Sequence, residues 1–178
     1  DEFGRIFQHD LRSIGVKLFM QNNDSGEPTA SSIVLVTDDA QRTMNTNLGC
    51  AGRILKDLVH IEDISKAEIV YLEGYLFDSP EARETMMAIA HSAYNNGNRI
   101  AVTLSDPFCV ERHRDLFLDV IQGQNGWPPI SILFANHLEL NALLTKNDGS
   151  YFEIEDIVRS DLLVFATHGA DGIQIYQD

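Results

Sequence analysis

Two residues three apart, Asn136 and Glu139, follow the apolar run Ile132-Leu133-Phe134-Ala135 and open the stretch His137-Leu138-Glu139-Leu140. At i and i+3 their side chains fall on one helical turn. A helix starting there offers unpaired N–H groups and the positive end of its dipole. Phosphate suits that N-terminus, and the carboxylate suits a hydrated Mg²⁺. The same two residue types also make an ordinary N-cap with its capping-box partner, which needs no ligand. Both readings stand at this level.

A second group ends another apolar run. Thr167-His168-Gly169-Ala170-Asp171-Gly172 has a hydroxyl at the run's end and two glycines that allow positive φ and close ligand approach. It is equally a tight glycine turn between strands, and no Gly-Lys-Ser/Thr comes after it to make it a P-loop. Leu104-Ser105-Asp106-Pro107 places a carboxylate where it can orient a hydroxyl or a metal-bound water, or simply cap a helix. Arg112, His113 and Arg114 read as a solvated basic face or a salt-bridge set, with ligand phosphate the alternative. In Arg42-Thr43-Met44-Asn45-Thr46-Asn47, alternation separates Arg42, Met44 and Thr46 from Thr43, Asn45 and Asn47. That polar row suits a polyhydroxylated ligand, or solvent. The six histidines show no ligand spacing, no Ser-His-Asp or Cys-His set can be argued, and Cys109 reads as core.

The elements that must hold these groups alternate strand and helix. Phe3, Ile6, Phe7, Leu11 and Ile14 recur at helical spacing, closed by Gly15. Val16 to Met20 reads as a strand and Asn22 to Pro28 as a polar loop. Ser31–Thr37 and Gln41–Asn47 read as a hairpin with one wet face. Strands are then predicted at Glu68–Glu73, Arg99–Leu104, Ser131–Ala135 and Asp161–Thr167, with a last one beginning at Ile173–Tyr176. Helices are predicted from Ser79-Pro80 to Tyr94, around Val110–Ile121, at His137–Leu144 and, briefly, at Glu153–Arg159. The expectation is an α/β fold: a mostly parallel sheet with helices on both faces and a protruding antiparallel hairpin. Ligands bind such sheets beyond the C-terminal strand ends, where Glu73-Gly74, Ser105-Asp106, Asn136 and Thr167 fall.

Composition narrows the partners. With 13 Lys+Arg against 27 Asp+Glu the formal charge is −14, which argues against non-specific nucleic-acid binding. A small phosphorylated ligand remains open, since local N–H groups and Mg²⁺ can hold it. Mean hydropathy is −0.13, and runs such as Leu162–Ala166 are too short to span a bilayer, so no membrane partner is expected. The opening residues lack a basic n-region and an apolar h-region, and two isolated cysteines give no disulfide framework. A cytoplasmic location is expected.

With these residues laid out, the chain resembles the PfkB (ribokinase-like) family of carbohydrate and nucleoside kinases, in its adenosine-kinase-like branch. Asp1-Glu2-Phe3-Gly4 is similar to the end of the family's Asp-Asp-x-x-Gly segment, and Ser13-Ile14-Gly15-Val16 is similar to the family's next stretch. Arg42 to Gly49 looks like the lid-to-core segment. Asn136-x-x-Glu139 matches the family's Asn-x-x-Glu, and Thr167-x-Gly169-x-x-Gly172 its nucleotide-side Thr-x-Gly-x-x-Gly. The resemblance implies phosphoryl transfer from ATP, with Mg²⁺, to a hydroxymethyl group of a sugar or nucleoside. By similarity, Asn136 and Glu139 organise Mg²⁺ and its waters, and Thr167, Gly169 and Gly172 contact ATP. Arg42, Asn47 and Asp106 serve the acceptor side. A homodimer through the lid is an arrangement the resemblance allows.

Two family motifs have no counterpart here: the early Gly-Gly and the late Gly-Ala-Gly-Asp that supplies the catalytic Asp. Gly169-Ala170-Asp171-Gly172 is the preceding nucleotide-side turn, so no catalytic residue is assigned. The expectation is the central part of one ribokinase-like kinase domain over residues 1–178, incomplete at both ends, inactive by itself, with a lid hairpin at roughly 16–47. A non-catalytic ribokinase-like ligand-binding or interaction module is the competing expectation.

Overall fold

The computed structural model describes residues 1–19, 26–146 and 148–177. The chain divides into two compact units, residues 1–60 and 61–178.

The first unit begins with α1 (Glu2–Ser13). Asp1 starts it: its carboxylate accepts from the Gly4 N–H at 2.8 Å and from the Thr29 N–H and hydroxyl, each at 2.7 Å. The strand expected at Val16–Met20 does not form over Val16–Phe19, and Met20 and Asn22–Ser25 lie outside the described residues. Among the described residues no strand pairs with Val16–Phe19, and an extended run without a ladder is not a strand. The hairpin does form, from β1 (Ser31–Val36) and β2 (Arg42–Asn47), with Val36 opposite Arg42 at the turn and Ser31 opposite Asn47 at the open end.

Every residue of that hairpin is exposed, so the single wet face expected becomes two. The cause is visible in β1. Ile33-Val34-Leu35-Val36 is a continuous apolar run, so it places apolar groups on both faces. Ile33 and Leu35 lie opposite the polar Asn45 and Thr43, and Val34 lies opposite Met44.

The second unit is a five-stranded mixed sheet in the order β3 (Ile69–Glu73), β4 (Arg99–Thr103), β5 (Ile132–Asn136), β6 (Leu163–Thr167), β7 (Ile173–Tyr176). The first four are parallel, and β7 runs antiparallel beside β6. Short α2 (Ile61–Ile64) precedes the sheet, and α3 (Pro80–Asn95), α4 (Pro107–Gln122) and α5 (His137–Leu144) make the crossovers. Each crossover helix starts on a side-chain cap, from Ser79, Asp106 and Asn136, with Pro at the first turn of the first two. The helix expected at Glu153–Arg159 shortens to one 3₁₀ turn, Ile154–Asp156. Arg159 is tied instead to the Ile121 and Ile130 carbonyls and to Asp161.

One hydrophobic cluster joins these helices to one sheet face. Met86, Ala90, Phe117, Val120 and Leu143 meet Leu72, Val102, Leu133, Ala135 and Val164, with Phe77 set edge-on to Phe117 and Trp127. Within this unit the crossover helices share one buried cluster with one sheet face. Strand order follows chain order without reversal, and right-handed crossovers that keep stepping one way stay on one side. The opposite face carries Tyr71, Phe134 and Phe165 in a row, with Ile173 and Ile175 beyond.

Candidate active site at the strand ends

The C-terminal ends of β3 to β6 form one edge, and the acidic and polar groups expected there are in place. Asn136 and Thr167 are register partners across β5 and β6, so these two motif residues are direct neighbours. Asn136 caps α5: its Oδ1 accepts from the Leu138 and Glu139 N–H groups, both at 2.9 Å. Glu139 answers with both oxygens. Oε2 accepts from the Asn136 N–H at 2.9 Å, and Oε1 from Asn136 Nδ2 at 2.6 Å. The capping box is complete. Glu139 is nevertheless buried, at 6% exposure, and burial pushes its carboxyl above the ordinary range. The Asn136 N–H opposes that shift, while the Asp106 and Glu73 charges add to it.

Asp106 is also committed locally. Its Oδ1 accepts from the Cys109 N–H at 2.7 Å to start α4. Burial, then the nearby Asp106 carboxylate, pushes the Tyr75 hydroxyl up to about 12. Ser105, just before, has a positive φ of 74°, uncommon outside glycine. Its hydroxyl donates to Glu73 and accepts from the Tyr75 N–H at 3.2 Å. Gly74 is required by this junction, because a Cβ there would meet Thr103 O at 2.5 Å and Ser105 Oγ at 2.7 Å. Cys109 is fully buried, and burial pushes its thiol up to about 11, so it is core and not a nucleophile.

Thr167 is exposed, and Gly169 and Gly172 both take positive φ, 59° and 98°. The 3₁₀ turn Gly169–Asp171 between them joins β6 to β7. The basic trio of α4 is spent within the fold. Arg112 pairs with both oxygens of Asp78 at 3.1 and 2.8 Å, His113 contacts the same carboxylate at 2.7 Å, and Arg114 donates to the Thr145 carbonyl. Arg42 and Asn47 belong to the first unit and are not brought together there. They sit at opposite ends of β2 and, by alternation, on opposite faces.

Sequence reasoning passed over two features. The αL backbone of Ser105 has no sequence signal. The stacking of His137 on His168 had one: each comes directly after a strand-ending motif residue, and those residues are register partners.

A match to pfkB family carbohydrate kinases spans residues 1–178. The chain belongs to that family. Its structure superposes on a probable sugar kinase from Rhizobium etli CFN 42 with a TM-score of 0.85 and 32% identity, over 99% of this chain and 52% of that one. Adenosine kinase from Sinorhizobium meliloti gives 0.85 and 32%, over 99% and 53%. A putative ribokinase II from E. coli, in complex with ATP and Mg²⁺, shares the fold at a TM-score of 0.78 and 17% identity, over 99% and 56%. This pfkB chain thus spans about half the length of these ribokinase-like structures.

Proposed function

We propose that the protein carrying these residues is an ATP-dependent kinase that phosphorylates a hydroxymethyl group on a sugar or a nucleoside. One observation carries the reading: Asn136 and Thr167 stand side by side on the C-terminal sheet edge, at the start of α5. Such transfer asks the protein for positioning and charge stabilisation more than for covalent chemistry. The Thr167 hydroxyl and the backbone of the Gly169–Gly172 turn receive the phosphates. Asp106 orients an acceptor hydroxyl. No residue of the chain is assigned as the general base.

The donor set fits Mg²⁺ held through water. Both Glu139 oxygens already accept hydrogen bonds, and among the described residues no group of three or more His, Cys, Asp or Glu could hold a metal directly. The charges of Asp106 and Glu73 act on Glu139, a negative field that a hydrated dication relieves. When bound, Mg²⁺ neutralises phosphate charge. Glu139 and Asn136 would orient its waters. The non-catalytic reading has one observation in its favour, since the capping box is complete without any ligand.

The deciding experiment incubates the full-length protein with ATP, Mg²⁺ and a panel of pentoses, hexoses and nucleosides, and detects products by mass spectrometry. The expected result is one acceptor class gaining a single phosphate, with Glu139→Gln lowering kcat on the order of tenfold and shifting the Mg²⁺ dependence. ATP binding without any acceptor-dependent ADP would favour the non-catalytic module.

A further inference from the structure

His137 and His168 come directly after Asn136 and Thr167, so two imidazoles leave neighbouring strand ends together. Their rings stack, with centroids 5.6 Å apart and planes 15° from parallel. His137 is exposed and His168 half-buried, and His168 Nε2 is buried without a hydrogen-bond partner. The His168 backbone is already used by the turn: its N–H donates to Gly172 O at 2.8 Å, and its carbonyl accepts from the Asp171 N–H at 3.1 Å. A buried ring nitrogen without a partner asks for a reason.

A metal ion is a poor reason. In stacked, near-parallel rings the nitrogen lone pairs lie in separate planes and do not converge on one ion. An anion is a better one. The motif residues beside the pair, Asn136, Glu139 and Thr167, contain a carboxylate and no cation, and the Asp106 and Glu73 charges also act on Glu139. A polyphosphate arriving there meets negative charge unless nearby donors offset it. Imidazole supplies an N–H in either protonation state and a positive charge when protonated. Asn136 already takes the Leu138 and Glu139 N–H groups, so the helix start alone has little left to give. Reaching His168 Nε2 asks neighbouring side chains to shift, and the exposed His137 ring is one that can.

We propose that His137 and His168 are paired contacts for the phosphates of the donor nucleotide, donating ring N–H groups to phosphate oxygens once the exposed His137 ring has turned aside from His168. No bond is made or broken by the pair. The proposal rests on the kinase reading above and deepens it, since it assigns donor affinity, and not acceptor affinity, to two residues outside the family motif positions.

The test uses the full-length protein with inorganic tripolyphosphate and a non-hydrolysable ATP analogue, each titrated calorimetrically. His137→Phe and His168→Phe keep a stacking ring and remove the N–H, whereas His137→Gln and His168→Gln keep a donor and remove the stack. Each Phe variant is expected to weaken both ligands about tenfold, as loss of one charge-assisted hydrogen bond implies. KM for ATP should rise while KM for the acceptor and the melting temperature hold, and the Gln variants should recover part of the affinity. Phe variants that bind both ligands like the wild type would overturn the proposal and leave the stack structural. A wild type that binds neither ligand would overturn the kinase reading and the proposal together.

Discussion

The strand-end edge of residues 61–178 and the hairpin of residues 31–47 carry comparable polar chemistry on opposite kinds of support. The edge hangs from a sheet whose helix-side face is buried, and Asp106, Asn136 and Glu139 are held there by capping hydrogen bonds. The hairpin has two strands, no buried residue and an apolar run exposed on both sides. A two-stranded ribbon gains little independent stability in water. The difference teaches that position on the edge is fixed by the fold, whereas the hairpin needs other surface or a ligand to fix it.

The largest expected effect separates the two regions by stability. Leu133→Ala, at a fully buried position of β5, should cost roughly 2–5 kcal/mol in urea unfolding, while Leu35→Ala in the hairpin should stay within about 0.5 kcal/mol. Equal costs would break the comparison. Next comes Gly74→Ala, whose Cβ would press on Thr103 O and Ser105 Oγ, at a cost of roughly 1–3 kcal/mol. Asn136→Ala removes a two-bond cap and should cost about 0.5–2 kcal/mol.

A pH series sharpens the edge further. The Glu139 carboxyl sits above its ordinary value of 4.5, so its contribution is present below that value and is lost as pH rises through the folded pKa. Melting curves of Glu139→Gln should therefore be flatter than wild type across that window, and Mg²⁺ should stabilise the wild type more at neutral than at acid pH. A small effect is expected at Asp78, which the Arg112 guanidinium holds below its ordinary value. Its contribution is present above the ordinary carboxylate range and fades as pH falls through the folded pKa. The pair is half exposed, so Arg112→Ala should cost under about 1 kcal/mol.

Much of this was legible in the sequence, for local reasons. Asn136, Asp106 and Ser79 announce their helices because a short polar side chain before an apolar helical run is a cap. The glycines of the Thr167 turn announce positive φ, and both glycines adopt it. The features that stayed hidden depend on partners distant in the chain. Val16–Phe19 has strand-like residues and no described neighbour to pair with. The sharing of one sheet face by the crossover helices follows from strand order, which no local pattern encodes. Ser105 takes an αL backbone where the Gly74 turn and the Glu73 carboxylate meet it across two strands. The roles of Arg42 and Asn47 also escape local reading, since alternation shows only that they cannot face one ligand across β2.

The central claim is that the sheet edge, and not the hairpin, receives the phosphate donor. Calorimetric titration of a non-hydrolysable ATP analogue with Mg²⁺ onto full-length wild type, Thr167→Val and Asn47→Ala tests it most directly. The account predicts affinity lower by about tenfold in Thr167→Val, the loss of one hydrogen bond to a charged group, and unchanged in Asn47→Ala. Unchanged binding in Thr167→Val, or an equal loss in Asn47→Ala, would contradict it.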